Sequence, residues 1–245
     1  MTYFKKAIIL AACALALPNV ASAAPTIFFG ENQAPAGGVS GAPVTARNSF
    51  LAFLSAGVST EDFEGIALGS PPIALTFTGG LGAINGTLSG GGSLVNAPVT
   101  GTYATSGTQF YDNQFNAFKI TFTSAIAAFG FYGTDIGDVN QALTVTLDEG
   151  LITQRVFVVA NTVGAANGSL LFWGIADTAQ TFTSVSFAQS GSDRFGFDDL
   201  TVGDVRQVTG GVPESSTWAM MIAGFGLVGF SMRARTRKVK FASLA

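Results

Sequence analysis

Between residues 24 and 203, short apolar stretches alternate with Gly, Asn, Asp or Pro at roughly ten-residue spacing, the rhythm of an all-β sandwich or barrel. Two runs show the strand period most plainly. Phe118, Ile120 and Phe122 share one face, while Lys119, Thr121 and Thr123 take the other. Leu143, Val145 and Leu147 alternate with Thr144, Thr146 and Asp148 in the same way. Both runs are rich in β-branched and aromatic residues, which suit a half-buried pleated surface. Shorter runs place further strands at 61–66, 73–78, 84–88, 108–111, 126–132, 153–159, 170–175, 182–187 and 194–202. One segment departs from the period. Phe50, Leu51, Phe53 and Leu54 stand at helical spacing, Asn48 or Ser49 can cap a start and Gly57 a stop, which predicts a single short helix over 49–56. Gly79-Gly80 and Gly90-Gly91-Gly92 mark turns, and 204–211 has neither period and reads as a linker.

The two ends follow different patterns. Residues 1–23 read as a secretory signal peptide: Lys5 and Lys6, then an apolar stretch from Ala7 to Leu17, then Ala21-Ser22-Ala23 as a cleavage site. A second reading of this end stays open, because Leu10-Ala11-Ala12-Cys13 fits a lipoprotein box that would place a lipid on Cys13. At the other end Trp218 to Met232 is an uncharged run of 15 residues, followed at once by Arg233, Arg235, Arg237, Lys238 and Lys240. Cations behind an apolar run form a stop-transfer pattern. A helix of that length spans only ~22 Å against the ~30 Å hydrocarbon core, so a buried core helix is the rival reading. The cations and a snorkelling Arg233 favour a transmembrane helix.

This tail, Val212-Pro213-Glu214-Ser215-Ser216-Thr217-Trp218-Ala219-Met220-Met221 with the apolar run and the basic end, closely resembles the PEP-CTERM sorting signal in its variant with Trp-Ala after the motif. Pro213 and Glu214 match the Pro-Glu-Pro element, Trp218 and Ala219 match the variant, and Arg233, Arg235 and Arg237 match the Arg-rich end. Gly224, Gly226 and Gly229 sit in the run as in many members, and Ser215 stands where the second Pro would be. The resemblance spans residues 212–240 and implies an exported protein held in the inner membrane by its C-terminal helix. An exosortase-type membrane protease would then process it for the cell surface or extracellular matrix.

Composition changes the picture once both ends are set aside. Two of the 12 basic residues lie in the leader and five in the tail, so the body keeps five against 14 acidic ones, a net charge of −9. Such a body repels nucleic acid and attracts cations. Histidine is absent from the chain and Cys13 is its one cysteine. No disulfide staples the body, and Cys/His zinc sites, Ser-His-Asp and Cys-His nucleophile systems and a His general base are excluded.

Two acidic runs carry the candidate chemistry: Glu61-Asp62-Phe63-Glu64-Gly65 on the first predicted strand, and Asp193-Arg194-Phe195-Gly196-Phe197-Asp198-Asp199-Leu200 on the last. Domain termini often lie close together, so Asp62, Glu64, Asp198 and Asp199 are candidate ligands for one Ca²⁺, which takes six to eight oxygens. Alternation puts Asp62 and Glu64 on one face but splits Asp198 from Asp199 unless a bulge intervenes. The plainer reading is that these carboxylates are solvated strand edges or turn caps. A third is a glycoside hydrolase drawing its two carboxylates from Asp62, Glu64 and Asp198. Thr134-Asp135-Ile136-Gly137-Asp138 reads as an Asx turn, as a second cation site or as a polar loop beside a glycan groove. Tyr103, Tyr111, Tyr132 and Trp173 are either core or sugar-stacking platforms.

The body too resembles other exported proteins carrying the PEP-CTERM signal, on residues 60–65, 128–138, 171–175 and 195–200. The same segments are similar to jelly-roll carbohydrate-binding modules, in which an early acidic strand and a late Asp hold a structural calcium. That similarity implies a jelly-roll-like sandwich, a Ca²⁺ cofactor and polysaccharide as partner. The expectation is a structural or adhesive protein of exopolysaccharide rather than an enzyme.

Overall fold

The computed structural model describes residues 24–33, 38–55, 57–114, 117–139, 141–189, 193–208 and 224–226. The chain divides into a compact unit, Ala23–Pro213, and a second unit of the two terminal segments. The predicted signal peptide lies outside the described residues, as does the sorting segment apart from Gly224–Gly226, which are helical. Among the described residues no helix is long and apolar enough to cross a membrane.

The compact unit runs β1 (Thr26–Asn32), α1 (Ala42–Phe53), β2 (Ser59–Glu61), β3 (Ile73–Gly79), β4 (Gly82–Gly90), β5 (Ser93–Val95), β6 (Phe110–Gln114), β7 (Phe118–Ile126), β8 (Ala128–Thr134), β9 (Leu143–Leu147), β10 (Arg155–Val158), β11 (Leu170–Ala176), β12 (Phe182–Gln189) and β13 (Arg194–Gly203). These strands form two antiparallel sheets. The first has the order β1-β11-β8-β13-β6-β5, and β2 pairs with β13 off that path. The second has the order β10-β9-β12-β7-β4-β3. The expected β-sandwich is thus the observed architecture, with α1 the one helix among the described residues of the compact unit.

The sheets differ in how they meet water. Strands of the second sheet alternate, with Ile73, Leu75 and Phe77 buried on β3 and Ile84 and Leu88 on β4, and polar neighbours outward. Its inner face meets the first sheet over a core crowded with rings: Phe118 stacks on Phe187 at 4.4 Å, and Phe131 and Phe197 lie 4.7 Å apart. In the first sheet β8 and β11 are buried at every position. Helix α1 supplies the outer cover, setting Phe50 against Phe28 and Phe172 at ring distances of 5.4 and 5.6 Å. Gly130 and Gly174 face each other across β8 and β11, and a Cβ on either would stand 2.9 or 3.0 Å from the Phe50 ring. The two glycines open the seat into which the helix drops its aromatic.

Several predicted boundaries move. The helix starts seven residues before the predicted 49, because Pro43 fits its first turn and Gly41, at φ 80°, turns the chain into it. It stops at Phe53, where Leu54 turns extended and bridges to Val208. The predicted strand at 61–66 is only Ser59–Glu61, since Phe63 at φ 63° breaks it. The start of the predicted linker belongs to the sandwich. Asp204, Gln207 and Val208 are buried, the Asp204 Oδ2 accepts the Leu81 N–H at 2.7 Å, and Gln207 Nε2 donates to the Thr78 carbonyl at 3.1 Å.

Candidate functional site

Strand β13 brings the two acidic runs together. Along one edge it pairs first with β6 (Arg194↔Gln114 to Phe197↔Tyr111) and then with β2 (Leu200↔Glu61 to Val202↔Ser59), so β2 and β6 share that edge end to end. Asp198 and Asp199 stand at the junction. The register of β13 against β8 slips between Asp198 and Thr201, and Asp199 adopts φ 52°. This bulge undoes the strand alternation that would have split the pair.

Three of the four candidate carboxylates reach a single loop, residues 105–109. The Asp198 Oδ2 accepts the Thr105 N–H at 2.6 Å, the Thr105 hydroxyl at 2.9 Å and the Ser106 N–H at 3.0 Å, while Oδ1 takes the Asp199 N–H at 2.7 Å. Ser106 Oγ donates to Asp199 Oδ1 at 2.7 Å, and the Arg47 guanidinium lies 3.8 Å from Asp199 Oδ2. The Glu64 Oε1 accepts the N–H groups of Thr108 at 2.6 Å and Gln109 at 2.5 Å. Asp62 stays exposed and accepts the Glu64 N–H at 3.2 Å, a turn capped by its own side chain. The turn also voids the expectation that Asp62 and Glu64 line one face of a strand.

The charges follow from these surroundings. Hydrogen bonds from Thr108 and Gln109 hold the Glu64 carboxyl below its ordinary value. Burial pushes Asp198 up to about 7, against the Ser106 and Thr105 N–H groups and with the Asp199 charge adding to the rise. Burial likewise raises Glu61. The arrangement is a loop clamp: acceptors meet donors, and Arg47 supplies a positive charge. Among the described residues no three acidic side chains surround one ion position. Asp198 is buried, out of reach of a glycosidic bond.

Of the two readings open to them, Tyr111, Tyr132 and Trp173 are core residues. Tyr111 Oη donates to the Gly91 carbonyl at 2.5 Å, and Trp173 lies against Phe131 and Phe157. Tyr103 is half-buried and donates to the Gly168 carbonyl at 3.4 Å. Among the described residues Asp135 caps no Asx turn of its own. Its Oδ1 reaches across to the Gly168 N–H at 2.7 Å.

A surface the sequence did not single out lies on the outer face of the second sheet. Thr76, Asn85, Thr87, Thr121 and Thr123 are exposed there, a level of short hydroxyls and amides. Beside them is a depression of about 160 Å³, lined by Ser89, Lys119, Thr146, Glu149 and Ser186 over Phe118 and Phe187. Ser186 is buried, and its Oγ has no hydrogen-bond partner among the described residues. The depression is smaller than the ~300–1,000 Å³ of enclosed small-molecule sites, which suits contact along a surface. The alternating Thr and Ser of β4, β7 and β12 were the signal that could have found it.

Against known proteins, no protein-family model matches the chain, and no curated protein is similar to it in sequence. Part of the chain is similar in outline to several solved structures. The K2 cleaved adhesin domain of Lys-gingipain is 12% identical with a TM-score of 0.40, over 59% of this chain and 98% of that one. The C-terminal family 22 carbohydrate-binding module of Clostridium thermocellum Xyn10B is 13% identical with a TM-score of 0.38, over 64% of this chain and 97% of that one. A family 61 module in complex with β-1,4-galactotriose is 13% identical with a TM-score of 0.28, over 48% and 86%. Likeness at this level carries no argument about what this chain binds.

Proposed function

We propose that this chain is an exported, non-enzymatic protein of the cell surface or extracellular matrix, and that its sandwich contacts polysaccharide through the outer face of the second sheet. The observation that carries the binding reading is the depression around Ser186. An unpartnered buried hydroxyl faces a patch where Lys119 can donate, Glu149 can accept, and Ser89 and Thr146 can do both. A polyhydroxylated chain is a partner that needs donors and acceptors in equal measure. A binding role rather than hydrolysis is supported by the carboxylates of Glu64 and Asp198, which are engaged by the 105–109 loop. The routing is supported by the leader and by the tail, with Pro213, Glu214, Trp218, Ala219 and the arginines at 233, 235 and 237 as the sorting motif.

A glycan array probed with the protein, in Ca²⁺ and again in EDTA, tests the reading. Binding to a polysaccharide that Lys119→Ala and Ser186→Val both weaken by roughly tenfold, about 1.4 kcal/mol, is expected. Binding in neither condition leaves a purely structural role. The mass of the mature C-terminus tests the routing, with an end upstream of Trp218 as the expected result.

A further inference from the structure

Strand β10 is the outermost strand of the second sheet and pairs with β9 alone. The Val159 N–H donates to the Leu143 carbonyl at 2.8 Å, which carries the β9 ladder one residue past the strand. Antiparallel ladders alternate, so Arg155, Phe157 and Val159 turn their main-chain groups towards β9. Val156 and Val158 therefore point their N–H and C=O groups off the sheet. The far edge of the same sheet is closed: on β3 the Thr78 N–H donates to Ser59 Oγ at 2.6 Å, and its carbonyl accepts from Gln207 Nε2. The devices that blunt an open edge are missing from β10. Residues 151–163 hold no proline or lysine, and their single charge, Arg155, turns to Asp177 and to the Gln180 carbonyl.

The exposed side chains along this edge mirror one another. Leu151, Ile152, Val156, Val158 and Val163 are each more than half exposed. Val156 and Val158 stand one residue either side of Phe157, and Leu151 and Val163 stand six residues either side. We propose that β10 pairs antiparallel with β10 of a second copy of this chain, about a two-fold axis at Phe157. In that register Val156 lies opposite Val158 of the partner subunit, and Val158 opposite its Val156. Each of these two pairs exchanges both main-chain hydrogen bonds, so every group the edge leaves open is met. Phe157, half-buried with its ring 6.0 Å from Trp173, meets its own copy at the close position between them. Leu151, in the turn before β10, is brought towards Val163 of the partner subunit, in the turn after it. A two-fold interface has to complement itself, and a pattern symmetric about one residue does so. Charge favours the same face: the body carries −9, yet residues 150–163 hold no acidic side chain, so two copies repel least here. One short strand and two turns fall below the ~1,200 Å² of standard interfaces, which makes the dimer weak and reversible. It joins the two second sheets into one, and it stands independent of the polysaccharide reading.

Light scattering of the full chain across concentration tests the pairing, with detergent present for the uncharged run 218–232. The mass doubles with Kd on the order of 10 µM, and the dimer tightens as salt screens the acidic bodies. Val158→Pro removes an N–H that the β9 ladder does not use and weakens the dimer at least tenfold. Val156→Lys, which keeps the main chain, does the same. Leu81→Lys, at an exposed aliphatic of the β3–β4 turn, leaves it unchanged. In a Cys13→Ser background, Val156→Cys and Val158→Cys chains mixed together cross-link on mild oxidation, and neither does so alone. A chain still monomeric at roughly tenfold that concentration overturns the proposal. So does a dimer that Val158→Pro and Val156→Lys leave intact, cross-linking by either cysteine variant alone, or growth beyond two copies.

Discussion

Glu64 shows how much one exposed side chain can do when its partners are main-chain donors. Its Oε1 closes on two successive N–H groups while Oε2 takes the Thr108 hydroxyl at 3.2 Å. The carboxyl is held below its ordinary value of 4.5, so the clamp is whole above that pH and is lost as pH falls through the lowered folded value. Hydrogen exchange at the Thr108 and Gln109 amides should quicken, relative to the rest of the sheet, as the buffer is taken below about pH 4.5. Glu64→Gln keeps an oxygen for the two amides but no charge. It should weaken their protection at neutral pH and abolish its acid dependence, and an unchanged acid dependence would assign the titration to another group.

At the scale of elements the seating of α1 on the first sheet is the contact most open to measurement. Phe50 is buried between Phe28 and Phe172 above two glycines. Truncation to Ala should cost about 3–5 kcal/mol by denaturant unfolding, and Gly174→Ala about 1–3 kcal/mol, since a methyl there displaces the ring. A neutral Gly174→Ala would mean that the helix slides freely. The same region marks where the sequence was legible. The second sheet could be read because one face of β3, β4 and β7 is wet, so Phe118, Ile120 and Phe122 announce their period. β8 and β11 could be found as apolar runs, but buried on both faces they gave no hint of what covers them. The edge strand β1 was missed because its half-exposed residues carry no period, and β5 because three residues are too few to show one. The helix start was missed because Pro43 and Gly41 set it, not a polar cap. For the site, the juxtaposition of early and late acidic runs was legible, but which donors would meet them was not. Glu64 meets Thr108 only because β2 and β6 abut along β13.

For the whole molecule, the two sheets have divided tasks: the central strands β8 and β11 of one are sealed on both faces, the other leaves a hydroxylated face to the surroundings. The sealed sheet has a particular order. Its central strand, β13, is the last strand among the described residues, and it joins β8 on one side to β6 and β2 on the other. Without it the first sheet falls into three pieces: β1-β11-β8, β6-β5 and β2 by itself. A chain ended at residue 193 should therefore show no cooperative unfolding transition and be cut rapidly by protease, whereas a chain ended at residue 213 should unfold cooperatively. A stable shorter chain would show that β11 and β8 close the core alone. The order also sets a clock. A sheet whose keystone is delivered last depends on contacts distant in sequence, and these form slowly. Until residue 203 is free the first sheet cannot close, so a chain emerging from its N-terminus stays loose along its length and turns rigid only with its last strand in place.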